Sequence, residues 1–76
     1  MGERDLVADT IDDVLGMGRW RFLARRARLK QLYFQLRASG ASGKRARTIG
    51  KRLRKALPAL RQEPKGRKVA LDLIAA

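Results

Sequence analysis

Charged side chains are the groups in this sequence whose types and spacing could do chemistry. Lys44, Arg45, Arg47, Lys51, Arg52, Arg54 and Lys55 crowd one short stretch, and Arg21, Arg25 and Arg28 precede them at intervals of three and four. Each can neutralise a phosphate and release counterions condensed on a nucleic acid, which supplies affinity regardless of base sequence. Arginine adds a planar fork that grips phosphate bidentately and can read guanine edges. Thirteen of the nineteen bases are Arg, so these ten residues form the candidate nucleic-acid contact set.

Other chemistries are poorly provided for. The chain has neither Cys nor His, which removes disulfides, thiolate nucleophiles, zinc ribbons and the commonest general base. Asp9, Asp12 and Asp13 lie at helical spacing, but no nucleophile or ligand set accompanies them, so solvated or ion-paired acids are expected. Ala38 to Lys44 reads Ala-Ser-Gly-Ala-Ser-Gly-Lys, close to a phosphate-binding loop. That loop needs Gly at position 38, Ser or Thr at position 45, and a preceding strand. Here the stretch follows a helical pattern and serves as a linker. Leu32 to Gln35 coincides with part of a protease-tag sequence but sits inside the same pattern. No catalysis, metal or cofactor is expected, and no motif is specific enough to name a family.

The elements that must position the bases follow from charge and periodicity. Seventy-six residues suffice for one domain with a thin core. Residues 1–18 hold Glu3, Asp5, Asp9, Asp12 and Asp13 against Arg4, a net −4, whereas residues 19–68 hold eighteen bases against Glu63, a net +17. With Asp72 the total is +12. A tract so charged repels itself unless something anionic meets it.

Apolar spacing predicts an acidic helix over about 3–15, on Leu6, Val7, Ile11, Val14 and Leu15, stopped by Gly16 and Gly18. A long basic helix is predicted over about 19–38. At about 100° per residue it carries two apolar stripes. Trp20, Leu23, Ala24, Ala27, Phe34 and Ala38 form one, and Phe22, Leu29, Leu32, Tyr33 and Leu36 the other. Two stripes imply a central helix packed on both sides, or one that buries its second side against another subunit in a homodimer.

After a Gly/Ser linker at 39–43, a basic helix over about 44–57 gathers Ala46, Ile49, Leu53, Ala56, Leu57 and Leu60 on one face, with Ser42 or Thr48 as its cap. Pro58 kinks it or opens a new turn. A short C-terminal helix over about 67–75 rests on Val69, Ala70, Leu73 and Ile74. The fold class is therefore all-α: three main helices plus a short C-terminal one.

The expected function is non-catalytic nucleic-acid binding through phosphates, with DNA slightly ahead of RNA. The third helix is the docking element, and it lacks the Asn or Gln that usually reads adenine. Trp20 and Tyr33 could stack on single-stranded bases but suit a core equally well. The alternative is a small inhibitor or adaptor whose basic face docks on an acidic protein. Anionic membrane ranks third, because the third helix offers no Trp or Phe. With no secretory or mitochondrial leader pattern and no apolar run near about 20 residues, a soluble cytoplasmic protein is expected. Asp12 and Asp13 stand against their own helix dipole, as do Arg19 and Arg21 at the next helix start, and are expected to offset each other. In a stronger form of that idea, the acidic helix competes with nucleic acid for the basic surface.

Overall fold

Four helices account for nearly all of residues 2–17, 22–61 and 65–75, the part of the chain that the computed structural model describes. They are α1 (Glu3–Leu15), α2 (Phe22–Ala38), α3 (Gly43–Leu60) and α4 (Gly66–Ala75), and the described residues include no strand. The chain thus adopts the all-α class that its periodicity predicts. α1 packs on α2, α2 on α3 and α3 on α4, and α4 returns to α1.

The turn between α2 and α3 shows why the linker stops one helix and starts the next. Gly40 takes φ 107°, a left-handed conformation that costs glycine little. This lets the Gly40 N–H donate to the Arg37 carbonyl at 3.1 Å and the Ala41 N–H donate to the Leu36 carbonyl at 3.0 Å, a Schellman closure. Ser42 then caps α3, its hydroxyl oxygen accepting from the Arg45 N–H at 3.0 Å.

Every helix contributes to one core. α1 supplies Leu6, Val7, Ile11 and Val14, and α2 supplies Leu32 and Leu36. α3 supplies Ala46, Ile49, Leu53, Leu57 and Leu60, and α4 supplies Ala70 and Ile74. Thr10 is buried among them, with its hydroxyl satisfied by the Leu6 carbonyl at 2.8 Å. α3 runs through Pro58 to Leu60, past the end expected near Leu57. The proline withdraws one backbone donor at a helix end. Burying Leu60 returns roughly 1.5–3 kcal/mol, the same order as the interior proline penalty of about 3 kcal/mol.

α2 buries one of its two stripes. Leu32 and Leu36 are buried and Leu29 and Tyr33 half-buried, whereas Leu23 is 76% and Phe34 57% exposed, and Ala24, Ala27 and Ala38 are exposed beside them. Among the described residues α2 therefore packs on one side only, and Phe22, at the start of that side's stripe, is itself exposed. Trp20 lies outside the described residues. α4 divides in the same way: Ala70 and Ile74 face inward, while Val69 and Leu73 of the expected face lie exposed.

Two glycines make opposite predictions. A Cβ on Gly50 would meet nothing within 4 Å, so Gly50→Ala is expected to stabilise α3 by up to about 1 kcal/mol. A Cβ on Gly66 would lie 3.1 Å from the Leu60 Cα and 3.2 Å from its Cδ2. Backbone must yield there, and Gly66→Ala is expected to cost roughly 1–3 kcal/mol. Thermal unfolding reads both: Tm should rise by about 4–8 °C at most for the first and fall for the second.

Candidate functional site

Three of the five acids of α1 are committed, each to a different helix. Asp13 accepts from Arg28 Nε of α2 at 2.8 Å, Glu3 pairs with Arg45 of α3 at 3.3 Å, and Asp12 pairs with Arg67 of α4 at 2.7 Å. Guanidinium groups therefore offset the unfavourable placement of Asp12 and Asp13 at the helix C-terminal end. Sequence reasoning assigned that role to Arg19 and Arg21, which lie outside the described residues, as does the candidate contact Arg21. Among the described residues the partners are Arg28 and Arg67, which only packing could supply.

These pairs also divide the candidate contacts. The Arg28 side chain is only 11% exposed, and it also donates Nη1 to Gln35 Oε1 at 3.2 Å, so it stitches α2 to α1. Arg45 is half-buried and held by Glu3 through both Nε and Nη2. Lys44, Arg47, Lys51, Arg52, Arg54 and Lys55 are all exposed on α3, and among the described residues no carboxylate pairs with any of them.

Helical spacing orders these six. Residues seven or eleven apart stand nearly in line, which places Lys44 with Lys51 and Lys55 and Arg47 with Arg54, while Arg52 flanks the first row on its other side. α3 as a whole spans about 27 Å, close to the 31 Å longest extent of the molecule. Its buried stripe fixes the roll of the helix on the core, so the opposite, basic side is presented as one long outward face.

A groove adjoins that face between α2 and α3. It is half open, holds about 460 Å³ and has an apolar lining of Phe22, Leu29, Leu57 and Pro58. Arg25, Arg26, Arg54 and Arg61 stand around it, and no acid lines it among the described residues. The Arg25 guanidinium lies over the Phe22 ring, 5.6 Å from its centroid, and Phe22 is 56% exposed. Arg25 and Arg54 belong to the expected contact set. Arg26 and Arg61 do not. Sequence reasoning missed Arg61 because α3 was expected to end before it, although its spacing of seven from Arg54 carried the signal. Arg26 was missed because the roll of α2 was undecided.

Chemistry other than anion contact is thinly represented. Among the described residues no three carboxylates gather as a metal-ligand group, and no helix is long and apolar enough to cross a membrane. Fold and surface together define a small all-α protein with one cationic helix face and an arginine-walled groove. Comparison with protein-family models, curated proteins and solved structures returns no match to this chain.

Proposed function

We propose that the protein is a non-catalytic nucleic-acid-binding module that grips phosphates through the exposed face of α3, with DNA favoured over RNA. The observation that carries this reading is the set of six exposed α3 bases without acidic partners among the described residues, set against three of the five α1 acids, Glu3, Asp12 and Asp13, committed to Arg45, Arg67 and Arg28. Surfaces of soluble proteins ordinarily intersperse both signs. A face of one sign raises the local concentration of polyanion and speeds its association. Phosphate contact rather than base readout follows from the Lys and Arg composition of α3, which has no amide side chain along its length.

The test is binding of labelled duplexes of unrelated sequence to the wild-type chain and to the triple variant Lys44→Gln, Lys51→Gln, Lys55→Gln. All three side chains are exposed, so the fold should persist. The variant is expected to bind every sequence more weakly by a similar factor and to lower the salt slope by about 3. Absence of wild-type binding at low salt would overturn the reading.

An acidic protein partner is a second reading, favoured by the exposed Leu23 and Phe34 on α2. Basic residues beside an uncovered apolar strip suit a protein interface better than a phosphate backbone. A protein complex that survives nuclease treatment would support it.

A further inference from the structure

We infer that the groove between α2 and α3 is a subsite for an unpaired nucleobase, so that the protein distinguishes single-stranded or looped nucleic acid from continuous duplex. The inference rests on the nucleic-acid reading above and adds to it a ligand class for a site that phosphate contact alone does not use. Phosphate recognition needs charge; it has no use for an apolar floor.

The groove supplies both parts of a nucleotide's chemistry. A half-open groove of about 460 Å³ falls within the roughly 300–1,000 Å³ of small-molecule clefts. Its floor of Phe22, Leu29, Leu57 and Pro58 offers apolar contact for a base. The Phe22 ring, more than half exposed, and the Arg25 guanidinium above it make a platform of two planar groups. Aromatic rings and guanidinium planes are the surfaces on which unpaired bases stack, and every base has a π-face, so the preference is sequence-tolerant. Arg26, Arg54 and Arg61 line the same groove and supply the charge to hold the phosphates that flank such a base.

Position strengthens the assignment. Arg54 belongs both to the groove wall and to the row that contains Arg47 on the outward face of α3. A strand following that face therefore reaches the groove without leaving the line of bases. A base in a duplex is stacked on both sides and cannot enter, whereas an unpaired base enters at little unstacking cost. The all-arginine wall also selects an anionic ligand over a neutral apolar one.

The test compares three labelled probes: an oligothymidylate, the same length of backbone carrying abasic sites, and a duplex. Wild-type protein should bind oligothymidylate about 5- to 140-fold more tightly than the abasic strand, the value of one stacked base. Phe22→Ala should abolish that ratio and leave the abasic and duplex affinities unchanged; Phe22→Tyr should restore it. Phe22 is largely exposed, so loss of fold does not confound the variant, and the circular dichroism spectrum of each variant confirms this. Equal binding of the two single strands by the wild type would overturn the subsite while leaving phosphate binding intact. Failure to bind any probe would overturn both readings together. Displacement of Phe22-dependent contacts by an acidic, aromatic peptide but not by oligothymidylate would assign the groove to a protein and equally defeat the proposal.

Discussion

Affinity for duplex DNA is expected to fall about 10³-fold between roughly 50 and 200 mM salt if the six exposed α3 bases are the contact set. The estimate follows from counterion release. Each neutralised phosphate contributes about −0.9 to the slope of log affinity against log salt, so six give about −5.4 over a fourfold change in concentration. If Arg25, Arg26 and Arg61 also engage, nine contacts raise the loss to about 10⁵-fold. Fluorescence anisotropy across a salt series measures the slope directly. A slope near zero would remove the electrostatic basis of the proposal. A slope near −8 would place the groove arginines on the phosphates of duplex DNA as well. The same experiment on a single strand should give a shallower slope, about −0.7 per contact.

Leu53→Ala is expected to destabilise the fold by about 2–5 kcal/mol. Leu53 is fully buried at the middle of the α3 stripe, between Ile49 and Leu57, so truncation leaves a cavity at the centre of the core. A domain of this length typically has only about 4–11 kcal/mol to lose. Urea unfolding should therefore show a midpoint lowered by about a fifth or more at an unchanged slope, and a substantial unfolded population at the upper end of the range. Because the basic face exists as a face only when α3 is seated, nucleic acid should recover part of the loss. Ligand at a hundred times its dissociation constant adds about 2.7 kcal/mol. Recovery by nucleic acid but not by a neutral polymer would tie the surface to the fold.

The contrast between α3 and α2 explains what the sequence could and could not disclose. In α3 the residues Ala46, Ile49, Leu53, Leu57 and Leu60 fall on one narrow arc and everything opposite is basic, so periodicity alone orients the helix, and all five are buried. In α2 apolar residues occupy two arcs, and propensity cannot choose between them. Packing on α1 and α3 selects the side of Leu32 and Leu36. That choice draws Arg28 inward, where Asp13 and Gln35 satisfy it, and turns Arg26 toward the groove. The outward placement of the six α3 bases was therefore legible from spacing, while the groove was not. Its walls come from two helices and from Arg61 beyond a proline that seemed to end one of them.

The order in which the helices meet also bears on how the fold is reached. Among the described residues, three of the four main interfaces join elements consecutive along the chain, and the fourth, between α1 and α4, spans most of its length. Short-range interfaces carry small loop-closure entropies, and bundles dominated by them belong to the regime that folds in microseconds to milliseconds. The α1 to α4 contact closes the longest loop and so carries the largest closure entropy; there Ala70 and Ile74 join the core and Arg67 reaches Asp12. The acidic first helix thus ties itself by ion pairs to each of the three helices that follow it.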